Sequence, residues 1–258
     1  MIASIGFGAL IGILLGLLGG GGSLLAVPAL VYGAGLTLAA AVPTSLLVVG
    51  ISSATALLPR LGAGLVQWRI AGIIGGTGAA AAFAGAAVNR MLDPRTVLVG
   101  FAVLMVVAGW RMLRDTDDSG GDCALPDGGV NWRGCLPKSI AVGLAVGFLT
   151  GLFGVGGGFL VIPALVLLLG LTMPAAVATS LVVIVANSAA GFAAHAGDAT
   201  VDYGIAVAFT LAAIIGSLAA GRIAPRLPAQ RLQRVFAWLV FVVAAFVGIQ
   251  AIVNPGAA

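Results

Sequence analysis

Charge is what this chain has least of. Only 8% of its 258 residues are Asp, Glu, Lys or Arg, against roughly 25% in soluble domains. So few charges could not cover the surface of a water-soluble fold of this length. Histidine occurs once, and no apolar run carries an acidic pair that would serve as a proton relay. The two cysteines, Cys123 and Cys135, lie in one polar stretch. Two thiolates fall short of the four ligands of a structural zinc site, so no metal is expected. They could form a disulfide if that stretch faces an oxidising compartment. Walker A, H-E-x-x-H and G-x-S-x-G patterns are absent, so no ATPase, zincin or nucleophile-elbow hydrolase is expected, and no cofactor. A Ser–His intramembrane hydrolase would rest on the single histidine, with no serine in a recognisable setting. No catalytic residue is assigned. The first apolar run lacks a basic leader and flows into glycines, so a cleaved signal peptide is not expected.

What fills the chain is apolar sequence, 61% of it. It comes in runs close to the roughly 20 residues that span a bilayer core. Backbone polar groups must be satisfied internally in hydrocarbon, which leaves helices or a closed barrel. Barrel strands would alternate polar with apolar, a pattern not seen here. The fold class is therefore an all-α polytopic membrane protein. The arginines behind the formal charge of +4 sit at the ends of apolar runs, where they anchor helices at a membrane face. Lipid is the expected partner and nucleic acid is not; assembly with further copies of the chain stays open.

The chain repeats itself. Gly16 to Val31 (GLLGGGGSLLAVPALV) returns 135 residues later as Gly151 to Val166 (GLFGVGGGFLVIPALV). The register continues from Thr44-Ser45-Leu46 to Thr179-Ser180-Leu181 and from Val66-Gln67-Trp68 to Val201-Asp202-Tyr203. With one inserted residue, Arg90 and Arg95 fall on Arg226 and Arg231. Shared low complexity would not keep such a register. The chain divides into a first repeat at 1–114, a polar linker at 115–137 and a second repeat at 138–258. Helices are expected near 2–18, 23–33, 39–58, 67–89 and 95–114, then near 138–153, 158–169, 174–195, 203–222 and 231–252.

Topology depends on how the glycine segment is counted. If the short piece after it completes no span, each half has four crossings and the halves are parallel. If the two pieces form a re-entrant hairpin, each half has three crossings and the halves are inverted. Arg90 with Arg95, and Arg222, Arg226, Arg231 and Arg234, mark equivalent loops. Placing both inside by the positive-inside rule favours parallel halves, eight crossings, and the linker and both termini outside.

Four consecutive glycines should break a helix, each costing roughly 1 kcal/mol against alanine. A broken membrane helix frees N–H groups, and the following helix N-terminus favours an anion. Gly19, Gly20, Gly21, Gly22 and Ser23, with Gly154, Gly156, Gly157 and Gly158, are thus candidate binding residues; close helix packing is the competing explanation. Thr44 and Ser45 lie seven to eight residues before Ser52 and Ser53, as Thr179 and Ser180 do before Asn187 and Ser188. That spacing gives one helix side, either for interhelical hydrogen bonds or for a shared solute cavity. Arg60 aligns with His195, and Gln67 with Asp202. Arg60, His195 and Asp202 are candidates for gating or proton coupling, against plain snorkelling at helix ends.

The paired motifs GLLGGGGS…VP and GLFGVGGG…IP, each followed by G-L-T and T-S-L, resemble the TauE/SafE family of sulfite and organosulfonate exporter-type permeases. The pieces Gly62 to Trp68 and Gly197 to Tyr203 look familial too, with tyrosine in place of tryptophan in the second. The resemblance spans about Ile5 to Gln250. It implies two tandem units of about four transmembrane helices in a prokaryotic plasma membrane. It also implies export of a sulfur-containing anion, with coupling to protons within the family's range. The alternatives are a permease for another small solute, or a non-transporting membrane scaffold whose glycines only pack.

Overall fold

The computed structural model describes residues 2–36, 38–89, 91–114, 132–153, 158–195, 203–224 and 227–253. Every regular element among them is helical. These are α1 (Ile2–Leu18), α2 (Gly21–Pro28), a π-helical segment Ala29–Gly33, α3 (Leu38–Leu61), α4 (Trp68–Asn89), α5 (Pro94–Arg114), α6 (Trp132–Phe153), α7 (Gly158–Leu167), α8 (Met173–His195), α9 (Tyr203–Ile223) and α10 (Ala229–Val253). Six contain a stretch long and apolar enough to cross a membrane: Pro43–Leu61, Trp68–Asn89, Cys135–Phe153, Met173–Ala190, Gly204–Ile223 and Ala229–Ile249. Side chains such as Phe83, Ile215 and Val242 stand exposed on these helices, as lipid-facing residues do. Helix α6 begins at Trp132, inside the stretch expected to be linker. Pro137 near the helix start removes only one backbone donor, so it does not end the helix there.

The chain forms two compact units that cut across the sequence halves. The first holds Met1–Gly72 with Pro174–Leu227, and the second Ile73–Met173 with Pro228–Ala258.

In the first unit, α1 lies against α9. Gly8 meets Phe209, Gly12 meets the carbonyl of Ala213, and Gly16 meets Ser217, where an added Cβ would fall 2.5 Å from the carbonyl oxygen. The numbers rise together, so the two helices run parallel. Glycines four apart let the backbones touch, as in small-residue membrane packing. Helix α2 then doubles back on α1, with Gly22 seated against Leu15 and 2.6 Å (from its would-be Cβ) from the Ile11 carbonyl. Ile11, Leu15, Leu30, Val48, Ile184 and Phe209 close the core around this hairpin.

Helices α3 and α8, which carry the matched Thr-Ser sequences, share this unit. Gly50 abuts Ser188, and the Gln67 N–H donates to Thr179 Oγ1 at 3.1 Å. Were the two helices parallel, Thr179 would lie about 30 Å from the end of α3 at about 1.5 Å per residue, and the six residues to Gln67 reach about 20 Å. They therefore run antiparallel.

The second unit repeats the glycine packing. In α6, Gly143 meets Ile74 and Thr77 of α4, Gly147 meets Gly78, and Gly151 meets Ala82. Both sides of this parallel pair lie 135 positions from their counterparts in the α1–α9 contact. Phe101 joins α5 to α6 and α7 through ring contacts with Phe153 and Phe159, at 5.2 and 5.4 Å between centroids. Asn89 Nδ2 donates to the Leu152 carbonyl at 2.6 Å near the end of α6. Helices α5 and α10 again run antiparallel: Gln233 Nε2 donates to the Met112 carbonyl at 2.8 Å, while Gly109 faces Ala237 and Gly248 faces Ala102.

These directions correct the expectation of parallel halves. Matched helices α3 and α8, and α5 and α10, run oppositely, so the duplicates are inverted. The reason is the hairpin: α2 and the π segment return along α1 and add a reversal that the eight-crossing count left out. The two arginine-bearing loops precede α5 and α10, antiparallel helices, so the positive-inside rule cannot place both on one side.

Two outcomes test this arrangement. Gly12→Ala and Gly147→Ala should each lower stability by about 1–3 kcal/mol through overpacking, read as unfolding temperature in detergent. Gly72→Ala, where an added Cβ meets nothing within 4 Å, should leave it unchanged or higher. Single cysteines introduced as Asp93→Cys and Pro228→Cys should react with an impermeant thiol reagent from opposite membrane sides; same-side labelling would restore the parallel reading.

Candidate solute site at the end of the first helix

Helix α1 stops at Leu18 because Gly19 takes φ +63°. That left-handed conformation suits glycine at a helix C-terminus. A side chain would fail there for a second reason, since its Cβ would fall 2.9 Å from Ser180 Oγ and 3.1 Å from Val177. The N–H of Gly19 bonds the Leu15 carbonyl at 2.9 Å. Gly20 is the N-cap of α2 and offers no side-chain hydrogen bond. The opening N–H groups of a helix have no intrahelical acceptor, and Gly20, Gly21 and Gly22 are buried. A helix C-terminus and a helix N-terminus thus adjoin within two residues in the interior of the first unit.

Around this break the expected site residues take different roles. Gly22 serves packing, as its contacts with Ile11 and Leu15 show. Ser23 turns its hydroxyl back onto the Gly20 carbonyl at 2.7 Å. Ser180 donates to the Val177 carbonyl at 2.9 Å and faces Gly19. Thr179 is fixed by the Gln67 N–H. Thr44, fully buried, donates to the Ala40 carbonyl of its own helix at 2.7 Å, and Ser45 is buried beside it. Because α3 and α8 are antiparallel, Thr44 and Thr179 are separated by about 20 Å along the axis. One small anion cannot touch both pairs at once, which corrects the picture of a single cavity shared by all four residues. Asn187 is half-buried in α8.

Arg60 departs most from expectation. Helix-end arginines in membranes usually snorkel to water, whereas Arg60 is only 5% exposed. Its Nη1 donates to the Ala56 carbonyl at 2.7 Å and its Nη2 to the Gly16 carbonyl. The carbonyl of Gly16 is among the last four of α1, which have no intrahelical donor. Arg60 therefore caps the C-terminal end of α1, where a cation also opposes the helix dipole. Gly221 leaves space beside the guanidinium, 3.8 Å from Nη1 to its would-be Cβ. Thr55 and Ser217 join α3 to α9 one turn away, at 3.3 Å between hydroxyls. The role of Ser217 had no signal in the sequence; that of Gly16 had one, the four-residue spacing of Gly8, Gly12 and Gly16.

In the second half, Gly158 opens α7 and is buried. Gly154, Gly156, Gly157, Asp202 and Cys123 lie outside the described residues. His195 is the last residue of α8. Cys135 is buried in α6 and is disulfide-bonded, with its sulfur 3.5 Å from Ser139 Oγ. No group of three or more His, Cys, Asp or Glu placed to hold a metal occurs among the described residues.

A family model described as "Sulfite exporter TauE/SafE" matches residues 4–247. Two Xylella fastidiosa proteins, from strains 9a5c and Temecula1, are each named "Probable membrane transporter protein". Both are 34% identical over 253 residues, covering 96% of this chain and 94% of theirs. A Bacillus subtilis (strain 168) protein named "Probable membrane transporter protein YunE" is 26% identical over 256 residues, 92% of this chain and 91% of its own. No solved structure matches. With a buried break in an apolar helix bundle and a family match over nearly its whole length, this integral membrane protein belongs to the sulfite exporter TauE/SafE family of membrane transporters.

Proposed function

We propose that this protein is a secondary transporter that exports a small sulfur-containing oxyanion, such as sulfite or an organosulfonate, by alternating access between two repeats. The observation that carries the proposal is the buried break at Gly19 and Gly20. It sets an N-terminal helix end uncapped by any side chain beside the Ser180 hydroxyl, with a cation in the same unit. An oxyanion spreads its charge over several acceptor oxygens and suits such a set of N–H donors, which the Ser180 O–H joins by turning from the Val177 carbonyl. The 135-residue register carries the same cluster to Gly154, Gly156, Gly157 and Gly158, the candidate positions for a matching set of donors in the second repeat. Inverted repeats give a transporter two related states in which the site opens to one side or the other. His195 and Asp202, matched to Arg60 and Gln67, are the positions for gating or proton coupling. The linker is extracytoplasmic, with Cys123 as the partner of Cys135, because a disulfide persists in an oxidising compartment.

The scaffold reading has one observation in its favour: Gly8, Gly12, Gly16, Gly22, Gly143, Gly147 and Gly151 all serve helix contacts. It accounts for those glycines but gives no use to a left-handed break beside a hydroxyl.

Uptake into proteoliposomes separates the two. Sulfite, thiosulfate, sulfoacetate, taurine and sulfate form the panel, under a pH gradient and under a voltage. At least one oxyanion should move, and movement of none under either gradient sinks the proposal. Ser180→Ala should then lower kcat/KM for the transported anion about tenfold or more, the worth of a hydrogen bond to a charged group. Helical content should stay at the wild-type value. An unchanged rate would remove Ser180 from the path.

A further inference from the structure

Arg60 poses an electrostatic problem that its hydrogen bonds only partly solve. It is buried within a stretch apolar and long enough to cross a membrane. Its two bonds run to backbone carbonyls, and no carboxylate among the described residues pairs with it. A buried charge is retained only where it is paired and hydrogen-bonded. The end of α1 supplies part of the compensation, since a helix C-terminus carries about half a negative charge. About half a positive charge is left over, together with guanidinium N–H groups: five are present and these bonds use two.

An independent observation lies on the same helix. The hydroxyl oxygens of Ser52 and Ser53, and that of Thr210 on α9, are buried without a hydrogen-bond partner among the described residues. Ser52 and Ser53 are fully buried and Thr210 is 7% exposed. Folded proteins pair nearly all such groups, and an exception calls for a reason. Ser53 precedes Arg60 by seven residues, which puts both on one face of α3. The bond from Arg60 to Ala56, four residues back, lays the guanidinium along that face. Ser52 and Thr55 share the neighbouring stripe, and Thr55 shows that this stripe faces α9. Thr210 precedes Ser217 by seven residues and so lies on the α9 stripe that faces α3. A cation short of negative charge and hydroxyls short of partners therefore occupy one helix and its neighbour.

We propose that Arg60 is the counter-charge for the transported oxyanion and that the Ser53 hydroxyl is a further donor to it along α3. The inference rests on the anion-transport reading and adds to it the residue that makes the site selective for negative solutes. Arg60 caps α1 when the site is empty. On binding, its remaining donors and its charge meet the anion, and Ser53 gains the partner it lacks.

The test uses the purified full chain, with sulfite and methanesulfonate as probes and glycerol as a neutral control. Anion affinity is read from the rise in unfolding temperature in detergent and from flux in proteoliposomes. Wild type should be stabilised saturably by the anions and not by glycerol. Arg60→Gln should weaken anion affinity about ten- to hundredfold, the loss of a charge-assisted hydrogen bond. Arg60→Lys should fall between, because it keeps the charge and loses the planar fork. Ser53→Ala should raise the unfolding temperature without anion, by removing an unpaired buried hydroxyl, and still weaken anion affinity severalfold. If Arg60→Gln lowers the unfolding temperature but leaves anion affinity unchanged, Arg60 is only a cap and the inference fails. Should Arg60→Gln not fold, unchanged affinity in both Arg60→Lys and Ser53→Ala overturns it equally. If wild type neither binds nor moves either probe, nor moves any member of the proteoliposome panel, the transport reading itself falls, and the inference with it.

Discussion

Two helix backbones can touch only where side chains are missing, and the architecture of this protein depends on where that happens. Gly8, Gly12 and Gly16 leave a bare strip on α1, and Gly143, Gly147 and Gly151 leave the same strip on α6. In a bilayer there is little hydrophobic gain from bringing apolar helices together, so close van der Waals contact and hydrogen bonds carry the association. The strips bind α1 to α9 and α6 to α4. Each joins a helix from one sequence half to a helix from the other, which is why the compact units cut across the duplication.

The same glycines make the helix ends near the break unusual. Once α1 is seated on α9, its C-terminal carbonyls lie in the interior, where they need donors. Arg60 supplies one to Gly16, and the Gly19 N–H supplies another to Leu15. The chain then reverses at a residue that only glycine fits, for conformation and for space against Ser180. Packing and function are therefore not rival explanations for the glycine cluster as a whole. Gly22 packs, Gly19 turns, and Gly20 leaves the start of α2 without a side-chain cap.

Much of this was legible beforehand. The low charge and long apolar runs required helices in a membrane, and the 135-residue register identified the matched glycine, Thr-Ser and basic segments. Direction was not legible. A linear string does not show that α2 folds back along α1, so the arginine loops were assigned to one side when α5 and α10 in fact start at opposite ends of an antiparallel pair. The pairing of Gly19 with Ser180, 161 positions away, was equally out of reach, as was the burial of Arg60, whose position near a helix end reads as snorkelling.

The sequence by itself determined the solvent this chain lives in, its helical class, its duplication and its family, because composition and register are properties of the string. Only the tertiary structure decided that the duplicates are inverted, that the first glycine break meets Ser180 of the other half, and that Arg60 faces the end of α1 rather than water. Those outcomes depend on which helices can approach closely enough to share backbone contacts. That is set by the three-dimensional match of glycine strips and hydrogen-bond partners far apart in the chain.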